Sequence, residues 1–134
     1  MREIKFRAWD GEKMVSPDHI DRWGNAWWTE NSIPTRSGTV MQYTGLKDKN
    51  GKEIYESDIL RNKWIDVFGK DIGQKWQVKF GEYDNSDIEY GSSGNIGFFC
   101  ESATRQQEGL NNLSGDGIEV IGNIYENPKL FKTT

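Results

Sequence analysis

Residues 74–80, "QKWQVKF", place Trp76, Val78 and Phe80 on one side of an extended chain and Lys75, Gln77 and Lys79 on the other. Successive side chains point to opposite faces of a strand, so a period of two gives one apolar and one wet face only as β structure. The same period opens the chain, with Ile4, Phe6 and Ala8 opposite Glu3, Lys5 and Arg7. It returns in residues 117–125, where Ile118, Val120 and Ile124 share a face. Residues 39–44, 58–68 and 95–100 read as further strands, the second joined to 74–80 near Gly69 and Gly73. Fifteen glycines and three prolines in 134 residues supply tight turns between short strands. The expected architecture is mainly β: a small barrel with an N-terminal β-hairpin extension and little helix.

That extension is residues 1–38. Asp10-Gly11 suits a two-residue hairpin turn, with the return strand starting at Met14-Val15. Ser16-Pro17-Asp18 has the marks of a short helix start, with Ser as the cap and Pro in the first turn. Trp23, Trp27 and Trp28 then fall in an irregular stretch, residues 23–38. Residues 39–134 make the barrel-like part, the two forming one compact unit. Residues 101–113 suit either a helix weakened by Gly109 or a long loop. The chain carries no internal repeats.

Only 34% of residues are hydrophobic, but six Trp, five Tyr and six Phe make the apolar fraction bulky enough for a core of a few large rings. Cys100 is the sole cysteine, so no internal disulfide forms and a reducing compartment is expected. No apolar run reaches signal-peptide or membrane-spanning length, which points to the cytosol. The net charge of −4 argues against a strongly basic nucleic-acid binder. Residues 1–80 carry 14 Lys/Arg against 12 Asp/Glu and residues 81–134 carry 3 against 9, so the lysine-rich middle is still able to meet phosphate.

Residues 43–60, "YTGLKDKNGKEIYESDIL", cluster lysines and acids around Asn50-Gly51. An EF-hand alignment on Gly51 puts Leu46 and Ser57 where that loop needs an acid and a bidentate Glu, so a calcium loop fails. Asn50-Gly51 instead tolerates the positive φ of a tight turn, making this stretch a hairpin finger. Lys47, Lys49 and Lys52 keep such a finger wet and unpaired at its edge, or contact phosphate. Glu82, Asp84, Asp87 and Glu89 have the oxygen chemistry for Mg²⁺ or Ca²⁺, but without further ligands they read as a solvated loop. His19, the sole histidine, sits between Asp18 and Asp21 with no nucleophile or second histidine to complete a site. One His and one Cys exclude the usual zinc and thiol-protease sets. Neither a P-loop nor a dinucleotide fingerprint occurs. Trp23, Trp27 and Trp28 suit either a stacking platform or an apolar lid or subunit contact. The lid or contact is favoured, because indoles are costly to leave in water.

Three stretches, "MREIKFRAWD", "VMQYTGLKDKNGKEIYESDIL" and "EVIGNIYENPKL", together resemble the YopX family of phage and prophage proteins over nearly the whole chain. The resemblance implies a small mainly-β protein whose C-terminal part is similar to an SH3-like barrel, encoded by a phage or prophage and working in the bacterial host's cytoplasm. It implies no catalytic residue. The family pattern has Glu-Gly-Asp where this chain has Glu56-Ser57-Asp58. If that position is left-handed, serine costs on the order of 1 kcal/mol relative to glycine. Asp58 is expected to order the bend by accepting backbone N–H groups. The functional expectation is a non-enzymatic binding or assembly module, without cofactor or metal, meeting a protein partner or another copy of itself through Trp23, Trp27 and Trp28. Nucleic acid gripped by Lys47, Lys49, Lys52 and the tryptophans is the alternative, and a carboxylate enzyme around residues 82–89 or His19 a distant third.

Overall fold

The computed structural model describes residues 4–63, 65–83, 95–110 and 117–130. Twelve strands run through them: β1 (Phe6–Trp9), β2 (Met14–Val15), β3 (His19–Ile20), β4 (Ala26–Glu30), β5 (Ile33–Ser37), β6 (Val40–Lys47), β7 (Glu53–Tyr55), β8 (Asp58–Asn62), β9 (Lys75–Tyr83), β10 (Asn95–Ser102), β11 (Gln107–Gly109) and β12 (Ile118–Asn123). They form sheets ordered β2-β1-β6-β7, β11-β10-β9-β8-β12 and β3-β4-β5, with every pairing antiparallel. The fold is mainly β, its sheets curled into a half-barrel.

The period-two face of β9 does build the interior. Trp76 and Val78 are almost fully buried and pack with Ile54, Leu60, Cys100, Leu110, Ile118 and Val120. Phe80, expected beside them, is 56% exposed. β9 and β10 run on past the core, and Phe80 meets the edge of Phe98, its register partner, instead of an interior. Ile4 is also exposed, lying ahead of β1.

Residues 16–38 depart furthest from expectation. In place of a helix start, Ser16-Pro17-Asp18 leads into β3, and the Asp18 N–H donates to the Trp27 carbonyl at 2.6 Å. Capping signals act within one turn; a cross-strand partner overrides them. Residues 23–38, expected to be irregular, carry the β4–β5 hairpin, turned by Asn31 (φ 52°) and Ser32 (φ 66°). Asn-Ser lacks the glycine that advertises such a turn. Ala26 and Trp28 of β4 point inward: Trp28 packs over Ala8 and Ala26, both fully buried, with Val15, Ile20 and Val40 around them. The extension is sewn to the rest by β1 and β6, in register through Phe6 with Gln42, Arg7 with Met41 and Ala8 with Val40.

Three other elements end differently from expectation. The strand read over 58–68 stops at Asn62, and residues 66–70 form a turn. Gly73 lies so close to that strand end that a Cβ there would sit 1.8 Å from the Asn62 carbonyl oxygen. Residues 101–109 are neither helix nor long loop: β10 continues to Ser102 and turns at Arg105 (φ 67°) into β11; Leu110 is helical, and residues 111–116 lie outside the described residues. β12 shifts register between Val120 and Gly122 and ends at Asn123, which leaves Ile124 beyond the sheet.

Ser57 adopts φ 73° between β7 and β8, its N–H donating to the Val78 carbonyl and its carbonyl accepting from Ile124 N–H. A left-handed serine is strained by its Cβ. Ser57→Gly is therefore expected to raise unfolding stability by about 1 kcal/mol, read as a higher urea midpoint.

Candidate binding surfaces

Three segments of this chain fold into one five-residue turn with the pattern Asp-x-x-Gly-x: residues 21–25, 48–52 and 66–70. In each, the Asp Oδ1 accepts N–H groups from the third and fifth residues at 2.8–2.9 Å. The Asp N–H donates to the fifth residue's carbonyl, and the glycine N–H donates back to the Asp carbonyl. Gly24, Gly51 and Gly69 have φ of 83°, 82° and 80°. Only the Asp and the Gly are needed for this geometry. The turn's signal in the sequence is the spacing of Asp and Gly, with unrelated residues between.

The 48–52 copy is the finger expected around Asn50-Gly51, and its organising residue is one that sequence reasoning passed over. Asp48 is buried, and its second oxygen, Oδ2, accepts the N–H of Val120 at 2.9 Å. Burial pushes its carboxyl up, but N–H groups from Val120, Lys52 and Asn50 outweigh that and hold it below the usual carboxylate range. The finger thus docks along β12, where Lys49 also donates its N–H to the Ile118 carbonyl and pairs with Glu119 at 3.5 Å. Lys47 and Lys52 are exposed. Lys49 is tied to β12, while Lys52 lines a cleft with Arg7, Asp58, Asn123, Glu126 and Asn127.

That cleft, about 580 Å³, is polar, and most of its charges are already engaged. Arg7 Nη2 binds Asp58 Oδ1 at 2.7 Å and the Glu56 carbonyl at 3.2 Å, and Asp58 Oδ2 accepts Tyr55 N–H at 2.8 Å. Burial pushes the Asp58 carboxyl up against the pull of Arg7. Asn123 Nδ2 donates to Glu126, and its Oδ1 accepts Tyr125 and Glu126 N–H groups. Gly122 is needed beside it, because a Cβ there would lie 2.4 Å from Asn127 Oδ1.

The tryptophans separate by depth. Trp28 is in the core and offers no surface. Trp27 is half-buried on the opposite face of β4, its ring stacked on His19 at 6.3 Å and covered by Arg36 at 5.7 Å, with Nε1 donating to Asp21. That bond, first among several, lowers the Asp21 carboxyl. Trp23, at the tip of the 21–25 turn, is 76% exposed beneath the Arg22 guanidinium at 5.1 Å. β6 follows β5 in the chain and leads to the lysine finger, spanning roughly 20 Å at strand rise.

Glu82 is exposed; Asp84, Asp87 and Glu89 lie outside the described residues. Among the described residues no three His, Cys, Asp or Glu side chains are placed to share a metal, and no helix is long and apolar enough to cross a membrane. Burial pushes the Cys100 thiol up to about 12, far from a thiolate at neutral pH.

Asp48→Asn turns an acceptor into a donor facing backbone N–H groups. It is expected to lower stability at pH 7 by about 2 kcal/mol in urea titrations. Because the folded carboxyl titrates below its unfolded value, that stability is fully present above about pH 4 and disappears as pH falls through the folded value. The gap between variant and wild type should therefore narrow in acid.

The family described as "YopX protein" matches residues 5–132. No curated protein sequence matches the chain. Two solved structures share its fold: protein EF1440 from Enterococcus faecalis, 26% identical with a TM-score of 0.56 over 98% of this chain and 100% of that one, and protein yopX from Bacillus subtilis, 19% identical with a TM-score of 0.54 over 100% and 99%.

Proposed function

The chain belongs to the YopX family, and from that premise we propose that it is a non-enzymatic contact module, phage- or prophage-encoded and active in the bacterial cytoplasm, that recognises a protein partner through the Trp23–Trp27 face. The observation that supports this is Trp23. It occupies a turn position whose backbone asks for no particular side chain, and it stands 76% exposed, with Arg22 over its ring. Trp and Arg are the side chains that most often anchor protein contacts, and a rigid turn carries them at little entropic cost. Trp27, His19 and Arg36 extend the same face across three strands.

Nucleic acid is the alternative partner, favoured by the cation on each ring: Arg22 on Trp23 and Arg36 on Trp27. One experiment separates the two. Wild type and Trp23→Ala, with equal urea midpoints, are used to capture partners from infected or lysogenic bacterial lysate with and without nuclease. A protein retained by wild type, lost about tenfold or more by Trp23→Ala and indifferent to nuclease is expected. Loss of capture with nuclease, together with salt-sensitive quenching of tryptophan fluorescence by oligonucleotides, would transfer the role to nucleic acid. Equal capture by both proteins would remove Trp23 from either.

A further inference from the structure

The third Asp-x-x-Gly turn carries the most conspicuous surface. Residues 49 and 50 of the second copy are Lys and Asn, polar as a solvent-facing tip ordinarily is. The same two positions of the third copy are Val67 and Phe68, exposed at 93% and 90%. Asp66 and Gly69 hold that tip as rigidly as the other two, and the stem beneath is closed by pairing of Ile65 with Asp71. Ile65 and Ile72 add apolar surface on the stem, each 48% exposed. The turn itself requires none of these side chains, and water disfavours all of them. The finger is convex, so whatever covers it must be flat or concave.

A matching surface exists on the same chain. The face of β9 and β10 that carries Trp76, Val78 and Cys100 into the core continues past it as Phe80, Phe98 and Ile96, with Phe80 56% and Ile96 75% exposed. Glu82, in register with Ile96, borders this patch; Lys70 closes the finger. Both are exposed, and neither is in an ion pair among the described residues. The finger leaves the sheet before Lys75, whereas Phe80 lies about 17 Å farther along β9. In this fold Val67 and Phe68 are almost fully exposed, so a molecule does not seat its finger on its own patch.

We infer that the occupant is a second copy of this chain: the Val67–Phe68 finger of one molecule seats on the Phe80–Phe98–Ile96 face of the next, with Lys70 toward Glu82. The contact joins unlike surfaces, so each added molecule leaves one finger and one face free, and assembly proceeds to a ring or an open chain. This surface is distinct from the Trp23 face, and its test does not involve the partner proposed above.

The test uses the whole chain in analytical ultracentrifugation over a range of concentrations. Wild type is expected to gain average mass as concentration rises. Two variants each remove one half of the contact, Val67→Ser with Phe68→Ser for the finger and Ile96→Lys for the face. Each should weaken self-association by on the order of tenfold or more. All three positions are exposed, so circular dichroism and thermal melting should match wild type. When the two variants are mixed, the intact finger of one meets the intact face of the other, and a heterodimer that grows no further is expected. A wild type that stays monomeric at every concentration overturns the proposal, as does a finger variant that assembles like wild type or a mixture that stays monomeric. Binding of a monomeric wild type to anionic phospholipid vesicles, lost in the finger variant, would overturn it in favour of a lipid surface.

Discussion

Arg7 and Asp58 form the contact on which the arrangement of sheets depends. Arg7 stands in β1 and Asp58 begins β8, so their 2.7 Å ion pair joins two sheets that no strand pairing connects at that point. The guanidinium also lies 4.6 Å from the Tyr55 ring and binds the Glu56 carbonyl, gripping the β7–β8 bend from two sides. Both partners are largely withdrawn from water, and breaking such a pair by removing one side costs about 3–5 kcal/mol, because the other remains buried and unpaired. Held this way, the bend tolerates a left-handed Ser57, whose backbone bonds to Val78 and Ile124 bring β9 and the end of β12 to the same place.

Asp48 is the second fixed point. It belongs to a turn and at the same time accepts a hydrogen bond from Val120, so a feature resembling a free surface finger is in fact docked. The stretches that carry the family resemblance meet here: Arg7 from the first, Asp48, Ser57 and Asp58 from the second, Val120, Gly122 and Asn123 from the third. What those motifs share is a junction. Arg7 and Asp58 pair with one another there, and Asp48 holds backbone N–H groups.

The turn tips are where exposed side chains differ most. An Asp-x-x-Gly turn fixes its backbone with two residues and leaves two free, so tips diverge without disturbing the fold. Lys49 and Asn50, Arg22 and Trp23, Val67 and Phe68 occupy equivalent places with unlike chemistry. Rigid turns that display large side chains lose little conformational freedom on contact, which favours association over a flexible loop of the same composition.

Alternation in residues 74–80 and 117–125 was enough to identify the β class and the core positions Trp76, Val78, Ile118 and Val120, since burial of one strand face is a local, periodic demand. Asn50-Gly51 likewise announced its turn. Depth was not legible: Trp27 and Trp28 are adjacent and alike in sequence, yet opposite faces of β4 send one over Ala8 and the other toward His19. Nor was the end of the core, which leaves Phe80 outside a pattern it continues. Asp48 passed unremarked because its deciding partner, Val120, is remote in the chain. Local periodicity and turn chemistry belong to the sequence alone; which acid is buried, which indole is exposed and which strands outrun the core depend on contacts between distant segments, and only the folded chain brings those together.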